Sequence, residues 1–188
     1  MSRKARLDKT TVVKAAADLV NSEGVQALSL SRLADELGVQ TPSLYNHVDG
    51  LRGLQRELTL MNARALAERL TNAAIGKAGP EGLAAVAQAY RNYIKEFPGL
   101  YMSSLRVSGT QVLPDAELQQ EEERTVQVGV AMLASFGLKG DDAVHALRAL
   151  RSMVHGFATL EIAGGFGMPL DCDESFRRLI NMLIRGLQ

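Results

Sequence analysis

The chain has 188 residues, enough for one or two domains with a buried core. Its 21 lysines and arginines equal its 21 aspartates and glutamates, so net charge alone gives no argument for nucleic-acid binding. The single cysteine, Cys172, excludes an intramolecular disulfide and a four-cysteine zinc site. The sequence has no apolar run of membrane-spanning length and no signal-peptide pattern, so we expect a cytoplasmic protein.

The first residues are basic and lead into a predicted helix. Residues 1–14 contain five basic side chains against the single Asp8. The basic side chains are Arg3, Lys4, Arg6, Lys9 and Lys14. Such a segment can neutralise phosphates or enter a minor groove, or it can be a solvated tail, and both alternatives stay open. The helix is predicted over residues 9–22, with Gly24 as its stop.

Residues 29–48 predict two short helices joined by a tight turn. The apolar residues of the first helix fall on one face: Leu30, Leu33, Ala34 and Leu37. Gly38 suits the left-handed backbone that ends a helix, and we expect Thr41 to cap the second helix, with Pro42 at its first position. The pattern is typical of a helix-turn-helix with residues 41–47 as the recognition helix, the alternative being an ordinary αα-corner.

Polar side chains cluster on this predicted recognition helix. Gln and Asn can bond adenine bidentately, and Ser accepts several arrangements, so these residue types favour contacts with base edges. The predicted base readers are Gln40, Thr41, Ser43 and Asn46. Arg32, near the start of the preceding helix, is a candidate for a phosphate or guanine contact, with a solvated helix face as the alternative.

The motif LADELGVQTPSLYNHVDGL resembles the N-terminal domain of TetR-family bacterial repressors, and the resemblance covers residues 8–56. It implies an all-α homodimer whose C-terminal domain binds a small ligand that usually releases the DNA. It also implies that Tyr45 and His47 contact phosphates and that Pro42 belongs to the DNA-facing set. Many members of the family have a lysine where this chain has Leu51, and Arg52 and Arg56 lie nearby as candidate substitutes.

A long helix predicted over residues 51–75 follows, and we place the domain boundary inside it. The expected domains are a three-helix DNA-binding domain, residues 1–57, and a ligand-binding and dimerisation bundle, residues 58–188. Further helices are predicted over residues 81–96, 100–107, 116–136, 142–163 and 174–187, giving about nine helices in an all-α fold. Residues 126–136 are almost wholly apolar and are expected to be buried on most sides.

Residues 152–161 resemble the Trp-His-Gly type of TetR C-terminal domain through His155-Gly156 and Leu160-Glu161, although Arg151 replaces the tryptophan. This resemblance implies a homodimer formed by the last two helices. Two patterns support that interpretation independently. Small residues recur every seven positions on the first of these helices, and the second carries an apolar seam. The small residues are Ala149, Gly156 and Ala163.

Aromatic residues and methionines in the second half predict either an ordinary core or an apolar ligand cavity with a few polar groups. The candidate ligand residues are Tyr90, Tyr93, Tyr101, Met102, Met132, Phe136, His145, Met153, His155 and Phe157, with Arg106, Arg148 and Arg151 as further polar groups. The expected ligand is hydrophobic or amphipathic.

Catalytic, metal and cofactor patterns are absent from the sequence. No GxSxG or HExxH motif occurs, and the GGFG at residues 164–167 follows a predicted helix rather than a strand. We therefore expect no enzyme activity, metal or cofactor. The favoured hypothesis is a repressor that a small molecule releases from a palindromic DNA operator. The alternative is a helical small-molecule carrier or sensor whose helix-turn-helix no longer binds DNA.

Overall fold

The computed structural model describes residues 7–105 and 115–188. Within these residues the chain forms nine α-helices and no strand, which confirms the predicted all-α fold with an N-terminal helix-turn-helix. The basic residues before position 7, Arg106 and the loop predicted at residues 109–114 lie outside the described residues.

The helices are, in chain order, α1 Lys9–Glu23, α2 Leu30–Leu37, α3 Thr41–Leu44, α4 Gly50–Ala74, α5 Gly79–Glu96, α6 Pro98–Ser103, α7 Ala116–Ala134, α8 Gly140–Ile162 and α9 Cys172–Gly186. A single 3₁₀ turn, Val25–Ala27, links α1 to α2. Gly24 ends α1 with φ +86°, a backbone conformation that L side chains rarely adopt, as its predicted role as a stop requires.

The described chain divides into two compact units. The first contains residues 7–62 and 97–105, and the second contains residues 63–96 and 115–188. The division inside α4 follows Asn62, close to the predicted boundary at residue 58, but α6 groups with the first unit rather than with the C-terminal domain. The physical reason is a close contact with α1, because a Cβ added at Gly99 would lie 1.8 Å from the carbonyl oxygen of Val20. The Leu100 N–H also donates to Asn21 Oδ1 at 2.8 Å.

The first unit has a continuous apolar core under the helix-turn-helix. The core residues with 0% exposure are Val12, Ala16, Leu33, Leu44, Leu54 and Leu58. Burying each leucine contributes on the order of 1.5–3 kcal/mol relative to exposure. Because α1, α2, α3 and the first half of α4 share this core, α3 is held in a defined orientation although it is only four residues long.

In the second unit, α7 packs closely on its neighbours through small residues. A Cβ added at Gly129 would lie 2.3 Å from Leu147 Cδ1 of α8, and one at Gly82 of α5 would lie 2.7 Å from Met132 Sδ. The expectation that residues 126–136 are buried on most sides is wrong, since Val126 is 46% exposed and α7 buries one face only. An apolar sequence leads to burial on all sides only where other helices surround the helix, and α7 is not surrounded in this way.

Candidate DNA-binding surface

The α2 helix begins and ends as its sequence predicts. Ser29 is the N-cap, with an extended backbone, and its hydroxyl accepts the Arg32 N–H at 3.1 Å. Gly38 ends α2 in the left-handed conformation, with φ +63° and ψ +38°. The Val39 N–H then bonds the Ala34 carbonyl at 3.0 Å, which closes the turn before α3.

The start of the recognition helix differs by one residue from the prediction. Gln40, not Thr41, is the N-cap, and it makes no side-chain capping bond. Thr41 is therefore the first helical residue and Pro42 the second, a first-turn position where the missing N–H of proline costs no hydrogen bond within the helix. The regular helix ends at Leu44, three residues before the predicted end, and hydrogen-bonded turns continue the chain, with the Val48 N–H donating to the Leu44 carbonyl at 3.0 Å.

This segment has one apolar and one polar face. Leu44 and Val48 are 0% and 6% exposed and attach the segment to the core. The predicted DNA-contacting side chains are the other residues of positions 40–47, and all of them are exposed or half-buried. Four of them are exposed, namely Gln40, Pro42, Tyr45 and Asn46, and three are half-buried, namely Thr41, Ser43 and His47. Tyr45 is 62% exposed, so its ring and hydroxyl are accessible to a partner molecule. Their contacts with DNA stay a prediction.

Two arginines of the predicted DNA-binding set have different surroundings. Arg52, in the first turn of α4, is exposed and has no ion-pair partner among the described residues. Arg32 donates to Glu23 Oε1 at 2.6 Å and to Glu36 Oε2 at 2.9 Å. Its hydrogen bonds to Glu23 and Glu36 raise the pKa of Arg32, so the side chain is a cation already engaged within the protein.

The helix-turn-helix part of the described chain, residues 7–62, which we call the reading motif, contains few cations without a carboxylate partner. Residues 7–62 contain five basic and seven acidic side chains. Lys9 and Arg56 both bond Glu57, at 2.8 Å each. Arg32 is also paired, so Lys14 and Arg52 are the cations without a carboxylate partner among residues 7–62. We therefore predict that contacts to DNA from this part come mainly from neutral side chains and backbone N–H groups.

The structure separates the predicted ligand residues. Tyr101 and Met102 belong to α6 in the first unit, whereas the others belong to the second unit. An open groove of about 330 Å³ in the first unit includes Met102 in its lining, with the remaining lining from Val20, Asn21, Gly24, Val25, Pro98 and Gly99. Apart from Met102, none of the predicted ligand residues lines this groove.

In the second unit the candidates range from fully buried to exposed. Tyr90, Tyr93 and Met132 are buried, and burial raises the pKa of the Tyr93 hydroxyl. Half-buried are Phe136, Met153, His155 and Phe157, and His145 is exposed. Burial, together with the nearby positive charge of Arg151, lowers the pKa of His155, which favours the neutral imidazole.

Arg91 is a buried polar centre that sequence reasoning missed. Its side chain is 1% exposed and donates to both oxygens of Glu161, at 2.7 and 2.8 Å, and to Asp173 at 2.7 Å. Phe157 and Phe176 flank the guanidinium, with ring centroids 5.3 and 4.9 Å from Cζ. The signal was a charged residue on the otherwise apolar face of α5.

Glu161 responds to this environment. Burial opposes its ionisation, but hydrogen bonds from Arg91 and from Lys95, the latter at 2.6 Å, outweigh burial and lower the pKa of the Glu161 carboxyl. The cluster joins α5, α8 and α9. Phe157, one of the predicted ligand residues, thus packs against Arg91 and also contacts Phe166, with ring centroids 4.7 Å apart and the ring planes tilted by 42°.

Two further observations limit the chemistry of the described residues. No helix in residues 7–105 or 115–188 combines the length and apolar character needed to cross a bilayer. In the same ranges, no three histidine, cysteine, aspartate or glutamate side chains come together as a metal-binding group. The capped α2, the Gly38 turn and the exposed face that begins at Gln40 define a helix-turn-helix protein of the DNA-binding class.

Comparisons with known proteins give the family. A family model described as bacterial regulatory proteins of the tetR family matches residues 12–50, and one described as the tetracyclin repressor-like C-terminal domain matches residues 83–183. The chain belongs to the TetR family of helix-turn-helix transcriptional regulators. The Trp-His-Gly subtype stays a prediction.

Relatives along the whole chain agree with this assignment. An HTH-type transcriptional regulator of Mycobacterium tuberculosis is 31% identical over 190 residues, covering 100% of this chain and 85% of the relative. One from Bacillus subtilis is 30% identical over 188 residues, covering 100% and 96%. The crystal structure of a TetR Q116A variant from Acinetobacter baumannii in complex with minocycline superposes with a TM-score of 0.70 at 28% identity, covering 96% of each chain.

Proposed function

We propose that this regulator is a cytoplasmic repressor that binds a palindromic DNA operator and is released by a hydrophobic or amphipathic small molecule. The DNA-binding part of this proposal rests on one observation: the α3 segment exposes polar side chains while its apolar residues are anchored in the core. Leu44 anchors the segment at 0% exposure while Tyr45, one residue on, is 62% exposed. Neutral hydrogen-bonding groups of this kind read base edges and position the helix on phosphates.

The proposed dimer forms through α8 and α9, as in the predicted arrangement. Family members dimerise, and a two-fold dimer presents two reading motifs to a palindromic site. The outward stripe of α8 supports this interface. A Cβ added at Gly156 meets no atom within 4 Å, and Ala163 is exposed, so these small residues serve no close packing inside the described chain. Small residues on an open helix face permit close approach of another helix.

The proposed ligand binds in the second unit. Similar proteins include the class A tetracycline repressor of Escherichia coli, 26% identical over 161 residues, and the minocycline complex is of a related repressor. On this chain the half-buried Met153, His155 and Phe157 of α8 combine apolar surface with one neutral imidazole, which suits a mainly apolar ligand. Ligand releases DNA only to the extent that it binds the released state more tightly.

The first experiment is a selection from a random-sequence DNA pool with the purified full chain, followed by sequencing of the retained DNA. An enriched palindrome supports the repressor proposal and gives the half-site spacing, expected near 34–36 Å or a multiple for a helix-turn-helix dimer. No enrichment at low salt contradicts it. The selected operator then serves as the probe for compounds that release the protein.

A carrier or sensor without DNA binding is the second candidate, and two observations favour it. Residues 7–62 contain more acidic than basic side chains, and Leu51 replaces the lysine common in the family. The variant Tyr45→Phe with His47→Ala distinguishes the two candidates. A repressor loses affinity on all DNA sequences, because both side chains are predicted phosphate contacts, while its melting temperature stays nearly unchanged. A carrier shows no change in either measurement.

A further inference from the structure

Arg32 lies between two carboxylates on the surface of the reading motif. Its two terminal nitrogens donate to Glu23, the last residue of α1, at 2.6 Å and to Glu36, one turn further along α2, at 2.9 Å. The three side chains are 37%, 43% and 52% exposed for Arg32, Glu23 and Glu36. We call this group the α2 bracket. Its net charge is −1, because one guanidinium faces two carboxylates.

The bracket lies on a helix that approaches DNA. In helix-turn-helix complexes the first helix of the motif crosses the phosphate backbone. Arg32 is in the first turn of α2, where the Ser29 cap fixes the backbone, so its guanidinium would otherwise be available to a phosphate. Instead, the bracket holds that cation and adds a negative charge, at a place where a cation favours binding.

We propose that the α2 bracket restrains binding of this regulator to the phosphodiester backbone of DNA, so that stable binding depends on base contacts from the α3 segment. The proposal rests on the proposed DNA-binding function. It fits the charge of the motif, in which Lys14 and Arg52 are the cations without a carboxylate partner among residues 7–62. A protein with few free cations makes few contacts that are independent of sequence, so the wrong DNA competes less.

The test replaces both carboxylates by amides of the same shape, as Glu23→Gln with Glu36→Gln in the full chain. The affinity for a random-sequence duplex of about 30 base pairs is measured between about 50 and 300 mM KCl. We expect at least about tenfold tighter binding at 0.1 M salt, and a log–log salt slope more negative by about 2 per dimer, since one arginine per protomer becomes free to displace counterions. Adding Arg32→Ala should cancel the gain in slope.

The second unit offers a matched control. Arg64 of α4 donates to Glu117 at 2.6 Å and to Glu121 at 3.4 Å, so it too is held by two carboxylates. The Glu117 side chain is 48% exposed, whereas that of Glu121 is 14% exposed and also accepts a hydrogen bond from Arg124. The variant Glu117→Gln with Glu121→Gln removes the same charge outside the reading motif. We expect its DNA affinity and salt slope to match those of the unaltered chain. Exposed ion pairs contribute little stability, so the melting temperature of the Glu23/Glu36 variant should stay close to the original. The melting temperature of the Glu117/Glu121 control is measured as well, to show that this variant is folded under the conditions of the DNA titration.

The outcomes separate the bracket from the function on which it rests. An unchanged affinity and slope in the Glu23/Glu36 variant, or an equal gain in the Glu117/Glu121 control, overturns the bracket while operator selection still supports DNA binding. A chain that binds no duplex, even as the Glu23/Glu36 variant, overturns both. A gain confined to that variant and reversed by Arg32→Ala supports the bracket.

Discussion

Arg91 offers the most direct test of the core of the second unit. The substitution Arg91→Met keeps a long, flexible apolar side chain but removes the guanidinium that joins Glu161 of α8 and Asp173 of α9 to α5. Because Arg91 is 1% exposed and the Glu161 side chain is 13% exposed, the change leaves a mostly buried carboxylate with Lys95 as its remaining cation.

The expected loss follows from burial. Removing one partner of a buried ion pair typically costs about 3–5 kcal/mol, chiefly because the other charge is left uncompensated. The Asp173 bond adds little, since that side chain is 79% exposed and water replaces the lost partner. Contacts of the guanidinium with Phe157 and Phe176 contribute on the order of 1 kcal/mol more. We therefore expect the free energy of unfolding to fall by about 3–5 kcal/mol in total. The fall should be near the lower value, because Lys95 still compensates part of the Glu161 charge.

The assay is urea unfolding followed by circular dichroism, at one protein concentration because dimerisation shifts apparent stability. Arg64→Met is the matched control, since Arg64 also bonds two glutamates but is 51% exposed, and its cost should stay under about 1 kcal/mol. Arg91→Lys should recover only part of the loss because lysine cannot bond both oxygens of Glu161 as a planar fork. A loss below about 1 kcal/mol for Arg91→Met would refute the reasoning.

Three further predictions address other parts of the chain. Gly99→Ala should destabilise the first unit by about 1–3 kcal/mol, because its Cβ would overlap the Val20 carbonyl, whereas Gly167→Ala, with open space around it, should be nearly neutral in thermal melts. Because the pKa of His155 is lowered in the folded state, protonation favours the unfolded chain, so the free energy of unfolding should fall as the pH drops below about 6.5. The substitution His155→Gln should flatten this pH dependence in thermal melts across about pH 5–8. Replacing Arg3, Lys4 and Arg6 by alanine should make the DNA salt slope shallower by up to about 5 per dimer, and an unchanged slope would assign these residues to a solvated tail.

Local chemistry explains why the helix-turn-helix could be predicted. Gly38 permits the left-handed backbone that ends α2, Pro42 suits the first turn of α3, and Ser29 caps α2. Each of these effects operates within four residues of its cause. Two details there differ from the prediction: the cap is Gln40 rather than Thr41, a shift of one position, and the regular helix ends at Leu44 rather than at residue 47. Residue preferences place the end of a helix only to within one or two residues, and the backbone geometry then determines which residue is the cap.

Tertiary packing explains most of what could not be predicted. The sequence of α6 contains an apolar stretch suited to either unit, and only the approach of Gly99 to the α1 backbone assigns it to the first. The apolar residues of α7 predict burial on all sides, but the burial of a helix depends on how many other helices surround it. The sequence of one helix does not show how many neighbours it has.

Arg32 and Arg91, each bonded to two carboxylates, show where a charge pattern stops being informative. Arg32 and Glu36 are four residues apart on one helix, so their contact can be inferred from spacing, but Glu23 is nine residues before Arg32 and reaches it only across the link between α1 and α2. For Arg91 both partners are distant in sequence, at 70 and 82 residues. Sequence spacing alone can therefore suggest that an arginine faces solvent or DNA when its guanidinium is already bonded to carboxylates within the protein. Its availability to a ligand is a property of the fold, and the Glu23/Glu36 variant tests that property directly.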